Sequence, residues 1–322
     1  MNVPLAADAP APLTHRYFVI DDFLPLDLAL SMRADIDAHF ARPEKHAPDT
    51  HQVWNYWFVP GTYTYLRTAP EKIIAREKVE TFFSTLRHWT VSRMAMTGVT
   101  WPLLSLYVPG CYQNLHNDSM NGRFGFVYSL TNSVRQTQGG GTILMREGDP
   151  FRRNLASPLS VRGFCDTVEP RFNRLLLFDD RVVHGVERLE GAMDPVEGRF
   201  VLHGHILEEG PVAGGAQTIE AVLPTIQSTL SGLVAAHRHE SSNFHGPLSI
   251  RFNIEPNGWV TGLHVLLDRV THVSESHTGS WDDLRARYLA AFAGARFAAA
   301  SGPTTVIFPI VFSGPAGRSP GA

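Results

Sequence analysis

Leu106-Tyr-Val-Pro-Gly-Cys-Tyr-Gln-Asn-Leu-His-Asn-Asp118 is the stretch that decides how this chain reads. An apolar run closes on a Pro-Gly turn, and a His and an Asp then stand two residues apart. In an extended segment residues i and i+2 point to one face, so His116 and Asp118 are able to reach a single ion. A second imidazole, His184, comes from a distant part of the chain, and Arg199 follows it. Two neutral imidazoles and one carboxylate suit Fe(II) and leave the remaining coordination positions open. The planar fork of an Arg can then anchor a dicarboxylate through parallel hydrogen bonds. Because position 118 is Asp and not Gly or Ala, no place is vacated for a halide, and hydroxylation is favoured over halogenation.

With 15 His in 322 residues, a His-x-Asp pair alone is a weak signal, and the surrounding segments supply the specificity. From Trp101 onward the chain breaks into short β-type runs separated by turn residues: 103–108, 123–131, 141–145, 174–178, 182–189 and 199–206. Many short strands without intervening helices predict a sandwich or barrel, with the candidate ligands at strand ends near its mouth. Upstream, Arg16–Pro25 reads as a short strand leading into a helix over Leu26–Phe40. A longer helix is expected from about Pro70 to Met96, and Gln52–Leu66, rich in Trp and Tyr, as strands or an ordered aromatic loop beside the mouth. Asn114, Asn117, Tyr112, Asn121 and Arg123 flank the metal pair, and Arg135, Arg146, Arg152 and Arg153 give the middle segment a basic cast.

Glu208–Gln217 is a Gly-rich break and reads as a linker. After it come an amphipathic helix from Ile219 to about His237 and a hairpin of Leu248–Ile254 and Val260–Asp268 around Glu255-Pro-Asn-Gly258. A helix over Asp282–Ala293 and a strand over Thr304–Phe312 complete the unit. The expected fold is mainly β with flanking helices: a double-stranded β-helix (jelly-roll or cupin-like) core plus a small C-terminal α+β domain. The expected division is a disordered tail at 1–12, the iron-binding domain at 13–208, a linker at 209–217, the α+β domain at 218–313 and a tail at 314–322.

A net charge of −3 from 28 basic and 31 acidic residues, with no Lys/Arg run, argues against a nucleic-acid partner. No charge-free apolar stretch of roughly 18 residues stands out, so no membrane span is expected, and the N-terminus lacks the plan of a signal peptide. With only Cys111 and Cys165 and no disulfide framework, the expected compartment is the cytoplasm, where iron stays ferrous.

Leu106–Asp118, Phe126-Val-Tyr-Ser-Leu-Thr-Asn132, Gly140-Gly-Thr142, Glu169–Phe178, His184-Gly-Val186 and Arg199, taken in order, resemble the prolyl-hydroxylase branch of the Fe(II)/2-oxoglutarate dioxygenases. The resemblance runs from about Tyr17 to Leu207 and is sharp from Tyr107. It implies iron held by His116, Asp118 and His184, and 2-oxoglutarate held by Arg199 with help from Tyr107. O2 would be the other co-substrate and ascorbate an auxiliary reductant. The implied activity is hydroxylation of an unactivated carbon with release of succinate and CO2, on a peptidyl residue first and on a small metabolite or natural-product intermediate second. Where the family has a Tyr in its Tyr-Leu-Asn strand this chain has Ser129 beside Tyr128, which leaves both as candidates for a co-substrate contact. His184 is followed by Gly, where Glu is commoner, and the stretch from His184 to Arg199 is lengthened by Glu190–Glu197. His203 shares the face of Arg199 and reads first as a packed core histidine, second as a support for the co-substrate.

Residues Gly246–Phe312 are similar to the C-terminal domain of TonB-like proteins, through the Asn-Gly hairpin and the Pro-bearing last strand. That resemblance implies a protein-contact module, suited to substrate capture, strand addition or dimerisation. A third reading, of another class, makes the barrel a non-catalytic metal-binding or sensor domain with the C-terminal unit as the working part.

Overall fold

Strands in which alternate residues are apolar can bury one face and solvate the other, and a sheet made of them is stable only if it curls on itself or is covered. Both solutions are used here. The computed structural model describes residues 11–41, 53–146, 164–273 and 279–314. Arg152, Arg153 and most of both expected tails lie outside those residues.

The chain forms two compact units, one of Arg16–Leu86 with Val99–Leu207, the other of Met1–His15, Arg87–Gly98 and Glu208–Ala322. The strands of the large sheet are β1 (Tyr17–Ile20), β2 (Asn55–Val59), β3 (Tyr63–Thr68), β4 (Gly98–Val99), β5 (Leu103–Tyr107) and β6 (Tyr112–His116). They continue with β7 (Phe124–Ser129), β8 (Thr142–Met145), β9 (Cys165–Val168), β10 (Arg174–Asp179), β11 (His184–Val186) and β12 (Arg199–Leu207). The spatial order is β1-β10-β7-β12-β5-β3-β6-β11-β8-β9, with β2 paired on β3. Strands β10-β7-β12-β5 form one antiparallel half and β6-β11-β8-β9 the other, with β3 joining them. Apart from the β8–β9 hairpin, consecutive strands from β5 to β12 alternate between the halves. That wrapping is the double-stranded β-helix expected from the sequence.

Alternation then assigns each side chain to the inside or outside of the barrel. On β12, Arg199, Val201, His203 and His205 face in, whereas Phe200, Leu202 and Ile206 are buried on the outer side. The outer side of the first half is covered by helix Leu26–Ala41 and the first part of helix Arg76–Met94. Phe82 stacks on Tyr128 at 4.9 Å between centroids, and Phe40 lies 6.0 Å from Phe200. Of these, the fully buried rings of Phe82, Tyr128 and Phe200 each contribute about 2 kcal/mol by area. The second helix begins at Arg76 and not at Pro70, because Pro70–Lys72 forms a separate 3-10 turn and the Asp35 carboxylate accepts the Ala75 N–H.

In the other unit, β13 (Val212–Gly215), β14 (Phe244–Ile254), β15 (Val260–Asp268), β16 (Thr271–His272) and β17 (Thr304–Ser313) form a sheet of order β13-β17-β14-β15, with β16 on β14. Helices Ile219–Ala236 and Trp281–Ala293 bury Val222, Ile226, Leu233, Leu284, Tyr288 and Phe292 in one core with Phe252, Phe308 and Phe312 of the strands. The helix-strand-strand-helix-strand order is as expected. The expected linker is different: Val212–Gly215 pairs with β17 from Ile307 to Thr304, so this Gly-rich stretch is part of the sheet. Helix Ile219–Ala236 also departs from the expectation of no apolar span, since by length and composition it is long and apolar enough to cross a membrane.

Candidate metal centre

Strand pairing within the second half of the barrel sets His184 directly opposite His116, on neighbouring strands β11 and β6. Between His184 and Val186 the register slips, and Gly185 alone faces Asn114 and Leu115, a β-bulge of the kind that re-aims side chains beside sites. Gly185 explains the departure from Glu after the distal histidine. A Cβ at 185 would lie 2.7 Å from the Gln113 carbonyl oxygen, so any side chain would push the two ligand strands apart.

Each imidazole is oriented by the main chain two residues before it. His116 Nδ1 lies 2.8 Å from the Asn114 carbonyl oxygen and His184 Nδ1 lies 2.9 Å from that of Val182. With Nδ1–H donated to a carbonyl, the lone pair is left on Nε2, the arrangement that fixes a ligating tautomer. Those Nε2 atoms lie 4.0 and 3.3 Å from Asp118 Oδ2, and the three donor groups fall within 4.8 Å of one another. Asp118 stands just beyond the end of β6. Its N–H donates to the Asp180 carbonyl and its Oδ1 accepts from the Asn121 side chain. Burial pushes the Asp118 carboxyl up, but the His184 hydrogen bond and the imidazoles around it outweigh burial and hold it below the ordinary value. Two imidazole nitrogens and one carboxylate converging within 4.8 Å fit a divalent metal with open positions.

Arg199 sits on the same concave surface in a row set by strand pairing, with Tyr107 opposite it and Tyr65 stacked on Tyr107 at 5.2 Å. Its guanidinium lies 4.7 Å from the Tyr107 ring centre and donates to Thr142 Oγ1 at 3.1 Å. Gly140, at φ +75, gives the chain its turn beside this side chain; a Cβ there would come 3.3 Å from Arg199 Cδ. Arg199 is 1% exposed, its Nε has no hydrogen-bond partner, and among the described residues no carboxylate pairs with it. A buried guanidinium without a counter-charge is costly, and an anionic ligand is the partner that would complete it.

Tyr107 and His203 also line this cavity of about 280 Å³. Tyr107 donates to Gln113 Oε1 at 3.0 Å, and burial raises its phenol. His203 Nε2 lies 2.8 Å from Ser105 Oγ; burial, then Arg67 and Arg199, push its pKa down to about 3, so the ring is neutral. Tyr128 and Ser129 are placed elsewhere. Tyr128 shares the outward parity of Leu202 and donates to Asn173 Oδ1 at 2.8 Å, while the Ser129 hydroxyl donates to the Pro170 carbonyl. Neither lines the cavity, and Val127 of the same strand does. Of the flanking polar residues Asn121 lines it and Tyr112 and Asn114 do not. Of the aromatics, Trp57, Tyr63 and Tyr65 line it, whereas Trp54 stacks on Phe40.

Several lining residues carry no signal in the sequence. Gln113 and Arg67 are brought in by register alone. Asp180 and His205 form a pair at 3.0 Å, with Asp180 buried and its Oδ1 unpartnered. Burial raises the Asp180 carboxyl against the pull of His205. Burial would lower the His205 imidazole, but Asp180 more than offsets it, so its pKa is raised. With Asp118 they make a second trio within 4.8 Å. A Phe178 ring 4.4 Å from the His184 ring closes the apolar side of the centre.

No protein-family model and no curated protein matches the chain. Among solved structures it is similar to a prolyl hydroxylase from Trichoplax adhaerens in complex with a hypoxia inducible factor oxygen degradation domain peptide fragment. That match has 15% identity, covers 61% of this chain and 85% of that one, and has a TM-score of 0.44. A Pseudomonas putida prolyl-4-hydroxylase matches at 18% identity, 61% and 94% coverage and a TM-score of 0.42. The non-heme alpha ketoglutarate dependent epimerase SnoN from nogalamycin biosynthesis matches at 11% identity, 59% and 76% coverage and a TM-score of 0.40. Likenesses at this level carry no weight for substrate or chemistry, which are read from the side chains.

Proposed function

We propose that this chain is an Fe(II)- and 2-oxoglutarate-dependent oxygenase, with His116, Asp118 and His184 as iron ligands and Arg199 as the anchor of the co-substrate's distal carboxylate. One observation carries this: a three-donor metal set and a buried guanidinium lacking its anion line the same cavity. Iron bound there would supply O2 activation coupled to decarboxylation of 2-oxoglutarate to succinate and CO2, and so hydroxylation of an unactivated carbon. The chain's own residues do the rest. Nδ1 hydrogen bonds to main-chain carbonyls aim both imidazoles, so metal entry costs little reorganisation. Thr142 and the Tyr107 ring hold the Arg199 fork in place before any ligand arrives, which is preorganisation of a charged contact. Val127, Val186, Val201 and Phe178 exclude water from the space beside the donors. Neutral His203, tied to Ser105, offers polarity there without adding positive charge.

Both substrate classes expected from the sequence are part of this proposal's scope. The exposed edge strand β2 suits a peptidyl substrate laid along it, whereas the small volume and polar lining of the cavity suit a small metabolite. The test is succinate formation from 2-oxoglutarate in iron-loaded protein. H116A and D118A should abolish it, and undiminished turnover in either variant refutes the assignment. Absence of both 2-oxoglutarate binding and turnover in the wild type would favour a metal-binding or sensor role.

A further inference from the structure

The cavity holds a second guanidinium that iron and 2-oxoglutarate do not use. Arg67 stands on β3 opposite Asn55 of β2 and Ser105 of β5, and Ser105 in turn faces Val201 of β12. Parity therefore turns Arg67 to the concave side, where it lines the cavity with Trp57, Tyr65 and His203. Its guanidinium lies 3.6 Å from the Trp57 ring centre and within hydrogen-bonding reach of the Tyr65 hydroxyl, a seat that steadies the group while leaving further N–H groups to donate. Among the described residues no carboxylate pairs with it. Asp118, the acid that lines the same cavity, belongs to the metal set, and Asp180, within 4.8 Å of it, is held by His205.

Charge decides what is missing. Two charges on iron and one on Arg199 balance the carboxylate of Asp118 and the two of 2-oxoglutarate. Arg67 alone is then uncompensated, in a partly dry cavity where such a charge attracts an anion strongly. At about 280 Å³ the cavity lies near the lower end of small-molecule sites, which favours a compact occupant.

We propose that Arg67, seated on Trp57, binds a free carboxylate of the primary substrate, so that the oxygenase acts on a small organic acid. This rests on the function proposed above. The same carboxylate chemistry could be supplied by a free amino acid or by the C-terminus of a short peptide, and the arms of the test separate them.

Iron-loaded full-length protein is given 2-oxoglutarate, O2 and a panel of free L-amino acids, their carboxamides, tripeptides with a free C-terminus, and the same tripeptides capped at both ends. Succinate and products carrying one added oxygen are measured. At least one free acid should be oxidised, with its carboxamide about 100-fold lower in kcat/KM, the loss of a charge-assisted bidentate contact. R67M should erase that acid-to-amide ratio mainly through KM, with R67K keeping part of it. Calorimetry on Mn(II)- and 2-oxoglutarate-loaded protein should show the same preference in binding. A better result with free-C-terminus tripeptides than with amino acids keeps the carboxylate site and reassigns its source. Carboxamides or capped peptides oxidised as well as free acids overturn the proposal. So does an R67M variant that keeps the ratio, or unstimulated turnover that no acid accelerates. Lack of any 2-oxoglutarate binding or turnover overturns instead the function on which it rests.

Discussion

Replacing Arg199 by Met should move stability and ligand affinity in opposite directions. In the metal-free protein the Arg199 guanidinium is 1% exposed with no carboxylate beside it, and burial depresses its pKa. Removing it loses the hydrogen bond to Thr142, about 1 kcal/mol, and the contact with the Tyr107 ring, about another 1 kcal/mol. It also relieves an uncompensated buried charge, worth several kcal/mol, and Met fills most of the space. The expected net effect is stabilisation of the metal-free chain by about 1–3 kcal/mol, read as a rise in Tm of roughly 2–4 °C per kcal/mol. Binding goes the other way. Loss of the charge-assisted pair to a carboxylate should weaken 2-oxoglutarate by about 3 kcal/mol, or roughly 150-fold. Thermal unfolding with and without 2-oxoglutarate, in Mn(II)-loaded protein, reads both. At 100 times its Kd the ligand should add about 2.7 kcal/mol to the wild type and close to nothing to R199M. A variant that is less stable without ligand, yet still stabilised by 2-oxoglutarate to the same extent, refutes the view that an anion completes this site.

Other perturbations read other parts of the structure. Because folded His203 titrates near 3 and an exposed His near 6.5, the unfolded chain binds the extra proton between those values. The stability it contributes is therefore full above about pH 6.5 and falls by about 1.4 kcal/mol per unit as pH drops toward 3. H203Q should flatten that slope by about 3 kcal/mol between pH 6.5 and 4 in urea unfolding, and identical slopes would count against a buried neutral ring. Gly185→Ala, forced against the Gln113 carbonyl, should cost about 1–3 kcal/mol and lower metal affinity at least about tenfold by calorimetry. Unchanged affinity would mean the ligand strands can part freely. Asn173→Ala should cost about 3 kcal/mol, since this buried side chain accepts from Tyr128 and the Leu24 N–H, donates to the Leu24 carbonyl and sits at φ 59. A loss under about 1 kcal/mol would show those bonds to be replaced by water.

Much of this was legible in the chain because local chemistry and global fold agree. The His116-x-Asp118 pair, the short strands and the Asn-Gly hairpin are each local patterns, and the ordered motifs around them, not spacing alone, brought His184 into the set. What the sequence concealed depends on partners far away. Strand β6 follows a Pro-Gly turn and has little apolar alternation, and β9 is short, so neither stood out. The Gly-rich Val212–Gly215 looked like a linker because what makes it a strand is the facing stretch of β17. Tyr128 and Ser129 were natural candidates on motif grounds, yet parity on β7 points the phenol to the helices and the Pro170 carbonyl takes the hydroxyl. Arg67 and the Asp180–His205 pair carry no local signature, since only cross-strand register brings them to the metal donors.

The main-chain carbonyls of Asn114 and Val182 that hold His116 and His184 have a bearing on how such a site can change. Each ring takes its aim from the residue two places earlier in the chain, so the orientation of both is encoded in backbone that any side chain can decorate. The walls of the cavity, from Trp57 and Arg67 to Val127 and Val201, contribute nothing to that aim. They are free to be exchanged while the metal stays put. Selection, or a protein engineer, can therefore vary what enters this pocket as a problem separate from keeping its chemistry, with Gly185 as the position between the two ligand strands that must not vary.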